Sequence, residues 1–148
     1  MNIAKATPDT ADLAVRLRLA LTRTARRLRQ EADSQLTPSS AAALATVERR
    51  GPLTPSELAA IEGIQRPTAT RVIARLEEAG LVVRAPDPTD RRSALVSVTA
   101  EGRALLRKAR NRKTAYFAHR MRNLPAEDLA ALERAADVLE RMLEDGPR

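Results

Sequence analysis

The sequence predicts a mostly α-helical fold with one small β-hairpin, its elements ordered α-α-α-α-β-β-α-α. Three observations carry this. Apolar residues recur at helical spacing along most of the 148 residues. Two of these segments, at Thr37 and Thr54, open on a capping residue followed by proline, which suits a helix start. One stretch after Gly80 changes instead to short β-branched runs around a turn rich in Pro and Asp.

Residues 1–11 are polar, contain Pro8 and show no apolar period, so they read as a loose arm. A helix is expected from Asp12, with Leu13, Leu17, Leu21 and Leu28 near one face. Its arginines (Arg16, Arg23, Arg26, Arg27 and Arg29) stand mostly elsewhere and read first as a solvated face, with DNA contact the alternative. Thr37-Pro38-Ser39-Ser40 starts the next helix, whose inward face is Ala41, Leu44, Ala45 and Val47. Arg49 and Arg50 suit the negative end of its dipole, and Gly51-Pro52 ends it. Its first turn offers free amides and the hydroxyls of Ser39 and Ser40, a candidate contact for a phosphate.

Thr54-Pro55-Ser56-Glu57 has the form of a capping box with proline at the first helical position. Leu58, Ala59 and Ile61 supply its apolar face, and Gly63 allows the positive φ of a helix stop. A further helix follows from Arg66 to Ala79, ended by Gly80, and two short helices joined by a Gly turn form a helix-turn-helix. At about 100° per residue, Ala69, Val72, Ile73, Leu76 and Ala79 fall on the inward side of this second helix. Pro67, Thr70, Arg71 and Ala74 face outward, with Thr68 and Arg75 at the edges and Arg66 at the start. Small Thr70 and Ala74 let the backbone approach a partner, and arginines reach phosphates or the acceptor edge of guanine in a major groove.

Leu81–Arg84 and Ala94–Val98 then read as two strands around a turn at Ala85–Asp90, with Asp87, Asp90, Arg91 and Arg92 at the tip. Thr99 caps a long helix to about Asn123 that is basic nearly throughout. Leu124-Pro125 breaks it, and acidic residues open a last helix where the dipole favours them. There Leu129, Leu132, Ala136, Leu139 and Leu143 follow a 3-4-3-4 spacing, widened by Val138 and Met142. Such a stripe needs a covering surface, either elsewhere in the chain or on a second copy.

These residues resemble a known family. Pro67-Thr68-Ala69-Thr70-Arg71, Leu76-Glu77-Glu78-Ala79-Gly80-Leu81-Val82, Arg84, and Asp87-Pro88-Thr89-Asp90-Arg91-Arg92 through Val96-Ser97-Val98-Thr99 are similar to the winged-helix core of MarR-type regulators, the multiple-antibiotic-resistance regulators of bacteria. The wing, an Asp-x-Arg before a valine-rich strand and Thr, is the specific part. The resemblance covers roughly residues 12–145 and implies a homodimer on double-stranded, pseudo-palindromic operator DNA. It implies Arg92 in the minor groove held by Asp90, with Arg91 on phosphate. It also implies that Leu13 and Leu17 join Leu129, Leu132, Leu139 and Leu143 in the dimer seam. A small aromatic or anionic effector is implied between the lobes, where Tyr116 and Phe117, the only aromatics, line a pocket or fill the dimer core.

Composition narrows the alternatives. The chain has no cysteine, which removes disulfides, cysteine metal sites and thiol sensing. His119 is the only histidine and sits among arginines, and there is no Gly-rich phosphate loop, so no catalytic residue, metal or cofactor is expected and an enzyme is disfavoured. No stretch approaches the ~20 apolar residues of a membrane span, so a cytoplasmic protein is expected. The net charge of +7 is unevenly placed. Residues 37–100 carry only +1 while 101–124 carry +7, so the case for DNA rests on where the arginines sit rather than on bulk charge.

The expected organisation is an arm at 1–11, a helical dimerisation region at 12–36 and 100–148, and a winged helix-turn-helix DNA-binding region at 37–99. The expected function is a sequence-specific DNA-binding transcriptional regulator, most simply a repressor. The alternatives are a non-specific architectural DNA binder and a winged-helix protein-interaction module. Whether the basic helix at 101–124 touches DNA is left open by the residues.

Overall fold

The computed structural model describes residues 9–32 and 35–144, and most of the expected arm lies outside the described residues. The chain runs α1 (Thr10–Glu31), α2 (Pro38–Arg50), α3 (Pro55–Glu62), α4 (Arg66–Glu78), β1 (Val82–Pro86), β2 (Ala94–Val98), α5 (Ala100–Met121) and α6 (Ala126–Glu144), the expected order. It forms two compact units, 1–113 and 114–148.

In the first unit the helix starts follow from their caps. α1 begins at Thr10 rather than Asp12, because the Asp9 carboxylate accepts from the Ala11 amide at 3.0 Å. Thr37 caps α2 by accepting from the Ser40 amide at 3.2 Å. At α3 the capping box is complete: the Glu57 amide donates to Thr54 Oγ1 at 3.2 Å, and the Thr54 amide donates to Glu57 Oε2 at 2.7 Å. The stops are equally local. Gly63 ends α3 at φ 63°, and Gly80 follows α4 at φ 73°, with the Gly80 amide on Glu77 O and the Leu81 amide on Leu76 O. That pair of bonds is a Schellman motif, which satisfies two terminal carbonyls and turns the chain into β1.

The core gathers Leu44 and Val47 from α2, Leu58 from α3, Ile73 and Leu76 from α4 and Val96 from β2, all nearly fully buried. Two residues expected inside are outside. Ile61 is 39% exposed, because α3 is only eight residues long and its single buried turn is taken by Leu58 and Ala59. Ala79 is exposed because it lies just past the last helical residue of α4. Conversely, Thr46 is buried, its hydroxyl donating to the Glu62 carboxylate and so linking α2 to the end of α3.

β1 and β2 pair antiparallel, with Val82 opposite Val98, Arg84 opposite Val96 and Pro86 opposite Ala94. β1 therefore runs two residues past Arg84, and Pro86 is tolerated because β1 is an edge strand. On the other side of β2, Leu53 and Val96 exchange both backbone bonds, at 3.1 and 2.8 Å. Thr99 closes the hairpin base. Its hydroxyl donates to Gly80 O at 2.7 Å and accepts from the Gly102 amide at 3.1 Å, while its own amide donates to Leu81 O at 3.0 Å.

The second unit holds the end of α5, a turn and α6. α5 stops at Met121, two residues before Asn123, and Pro125 O accepts from the Asp128 and Leu129 amides at 3.0 and 3.1 Å to start α6. No helix of the described residues is long and apolar enough to cross a membrane.

Candidate nucleic-acid interface

The 3.6-residue period of α4 divides its side chains as its sequence requires. Ala69, Val72, Ile73 and Leu76 are buried, which fixes the roll of the helix. Arg66, Pro67, Thr70, Arg71 and Arg75 are therefore exposed, with Thr68 and Ala74 half-buried at the edges. The Thr70 hydroxyl donates to Arg66 O at 3.1 Å, which leaves its lone pairs facing outward as acceptors. Arg71 and Arg75, one turn apart, form no ion pair with any described residue. A helix with two unneutralised guanidiniums and a small residue between them can lie close to a polyanion and offer bidentate donors.

The hairpin tip is ordered by its acidic residues. Asp87 Oδ1 accepts from the Thr89 amide at 2.8 Å and from its hydroxyl at 2.7 Å, and these bonds hold the Asp87 carboxyl below its ordinary range. The Asp87 amide donates to Ser93 O and the Ser93 amide to Asp90 O, closing the turn. Asp90 Oδ1 accepts from the backbone amide of Arg92 at 2.9 Å. Asp90 thus grips Arg92 through its main chain rather than its guanidinium, and Arg91 and Arg92 are exposed with their charge unpaired by any described residue.

At the start of α2 the two serines differ. Ser39 is exposed, whereas Ser40 is 4% exposed and its amide and Oγ are both bonded to the Thr37 hydroxyl. Ser40 serves the cap, and the outward hydroxyl of this turn belongs to Ser39. Three further contacts had no signal in the sequence, since their partners lie on different elements: Arg84 Nε donates to Glu77 Oε2 at 2.9 Å, Arg110 pairs with Glu48, and the Arg112 guanidinium donates to Ala32 O at 3.3 Å.

The first unit also contains a cavity of about 790 Å³ between α1, α2 and the first half of α5. Leu28, Leu36, Ala41, Leu105 and Leu106 are among its apolar walls, and among the described residues its charged lining is Arg26, Arg29, Arg110 and Lys113, with no acidic residue. Tyr116 and Phe117 are not in this lining. They lie in the second unit, half-buried and edge to face at 6.5 Å between ring centroids. The described residues of the proposed seam are open in the single chain, Leu13 at 37%, Leu17 at 38%, Leu129 at 41%, Leu132 at 45% and Leu143 at 83%, with Leu139 half-buried. Among the described residues no group of three or more His, Cys, Asp or Glu is gathered where it could hold a metal ion.

A helix-turn-helix whose second helix exposes arginines, followed by a hairpin with an arginine tip, defines a winged helix-turn-helix transcriptional regulator. Residues 36–94 match the model of the MarR family. An HTH-type transcriptional regulator of Mycobacterium bovis is 38% identical over 138 residues, 93% of this chain and 96% of that protein. An HTH-type transcriptional repressor of Pseudomonas putida is 35% identical over 77 residues, 52% of this chain and 49% of its own length. Among solved structures, one from Pseudomonas aeruginosa assigned as a transcriptional regulator protein superposes with a TM-score of 0.84 at 33% identity, covering 95% of this chain and 99% of that one. A MarR family protein from Bacillus stearothermophilus shares the fold at a TM-score of 0.76 and 22% identity, over 91% of this chain and 95% of its own. The chain belongs to the MarR family.

Proposed function

We propose that this regulator is a homodimeric, sequence-specific repressor that reads a pseudo-palindromic operator with α4 in the major groove and the β1–β2 wing in the adjacent minor groove. The observation that carries the reading is the outward face of α4, where Arg66, Thr70, Arg71 and Arg75 stand exposed over a fully buried opposite face. Arg71 is assigned to a base edge, Ser39 to a phosphate, Arg92 to the minor groove and Arg91 to phosphate. Asp90 holds Arg92 by its amide, so the arginine's direction is set by the turn. The repressor at 35% identity supports the direction of control. The apolar faces of α1 and α6 support self-association.

The cavity in the first unit supports release by a small ligand with an apolar body and an anionic group, since its walls are largely apolar and the charges that line it among the described residues are cationic. On this reading Arg26, Arg29 and Lys113 line the effector site, and Tyr116 and Phe117 belong to packing in the second unit. The test is selection of bound duplexes from a genomic pool, followed by a screen for carboxylates that release the selected duplex. Enrichment of one palindromic sequence is expected. Uniform retention of all duplexes with a steep salt dependence would show an architectural binder instead.

A further inference from the structure

We propose that Glu77 and Arg84 are positioning residues for DNA recognition, a brace that sets the direction of the wing relative to α4. The proposal rests on the reading that helix and wing engage one duplex together. Arg84 lies in the middle of β1 and Glu77 in the last turn of α4, and Arg84 Nε donates to Glu77 Oε2 at 2.9 Å. The pair occupies a particular level of the hairpin. Arg84 is the register partner of Val96, and Val96 is the residue that exchanges both backbone bonds with Leu53. One row therefore crosses the wing from Leu53 through Val96 and Arg84 to Glu77. It ties both edges of the hairpin, one to the chain before α3 and the other to α4 itself.

Below that row the hairpin is already fixed by the Schellman turn at Gly80 and by Thr99. Above it the hydrogen bonds among the described residues are those of β1–β2 pairing and of the tip, which places the pivot of a swing near Arg84. At ~3.3 Å per residue the tip lies about 15 Å beyond the row, so a tilt of about 10° would carry Arg92 by about 2.5 Å, enough to lose a direct contact. Stability offers no competing reason for the pair. Its side chains are 33% and 41% exposed, and exposed ion pairs contribute little to folding. Unlike Arg71 and Arg75, Arg84 has a carboxylate partner, with its Nε on Glu77.

The test compares wild type, Glu77→Ala, Glu77→Gln and Arg84→Gln as full-length protein on the duplex selected by wild type, with thermal unfolding measured in parallel. Glu77→Ala removes a negative charge beside DNA, which bulk electrostatics would turn into tighter binding. The brace predicts the opposite, a loss of roughly five- to tenfold, with the unfolding midpoint within about 2 °C of wild type. Glu77→Gln should fall between the two, since its amide oxygen still accepts from Arg84. Added to Arg92→Ala, Glu77→Ala should cost little more, because the contact it positions is already gone. Arg84→Gln should weaken binding without lowering the salt slope. A slope reduced by about 0.9, the value for one phosphate contact, would make Arg84 a DNA ligand and overturn the brace. So would wild-type affinity in Glu77→Ala. If wild type itself selected no duplex, the operator reading would fall and the brace with it, whereas wild-type selection with an unaffected Glu77→Ala overturns the brace alone.

Discussion

At the scale of single residues, two positions hold the wing by opposite means. Gly102 sits where α5 leaves the hairpin, and a Cβ there would meet Leu81 O at 2.3 Å and Val98 Cγ2 at 2.8 Å. The obstacle is backbone, so the helix would have to move. Gly102→Ala is expected to destabilise the fold by about 1–3 kcal/mol, read as a lower urea midpoint; an unchanged midpoint would mean that α5 shifts freely. Asp87 acts through charge. Two bonds from Thr89 lower its pKa from the ordinary 3.8, so the native state binds its proton less readily than the unfolded chain does. The stabilisation from this group is thus fully present above 3.8 and lost as the pH falls through the lowered native value. Protection of the Thr89 amide followed by NMR should decline only in that acidic window and should be lost at neutral pH in Asp87→Ala. Protection that persisted in that variant would show that the tip is held by its backbone bonds alone.

At the scale of elements, the proposed function has α4 and the wing divide the reading of DNA between them. Arg71→Ala is expected to cost roughly 1–3 kcal/mol on the selected duplex and less on a random one if it meets a base edge; equal losses on both would make it a phosphate contact. Arg92→Ala should lose affinity together with any preference for A·T pairs beneath the wing, because a narrow A·T minor groove attracts an inserted arginine. Asp90→Ala should repeat part of that loss by freeing the Arg92 amide, and tighter binding by this variant would count against the role given to Asp90. These elements were legible in the sequence because their determinants are local. Thr54 with Glu57, Gly63 and Gly80 act within one turn of themselves, and the burial of α4 follows one period. What the sequence did not disclose depends on contacts between elements. Ser40 read as an outward hydroxyl until its bonds to Thr37 and its burial were visible, and Ile61 read as core although α3 ends one residue later. The ion pairs of Glu77 with Arg84 and of Glu48 with Arg110 each join two elements, and no spacing rule finds them.

At the scale of the whole molecule, the distribution of apolar surface argues for a second copy. Ten of the thirteen exposed large apolar side chains among the described residues lie on α1 and α6, five on each, while α2, α3 and α4 contribute only Ile61. Solvated helices seldom carry such stripes, and the 3-4-3-4 spacing on α6 is that of a helix–helix seam. A partner of the same sequence would also place two copies of α4 in symmetric positions, which is what a palindromic operator requires. Light scattering at micromolar concentration should give twice the mass of one chain. Leu132→Asp should give monomers or unfolded chains, because a seam can bury an unpaired carboxylate only at high cost. Glu133→Lys, a charge change at an exposed neighbouring position off the heptad, controls for charge alone and should remain dimeric. A wild-type mass of one chain would remove the dimer, and with it the expectation of two symmetric half-sites. If Leu132→Asp stayed dimeric and folded, the seam would have to lie on α1 without Leu132.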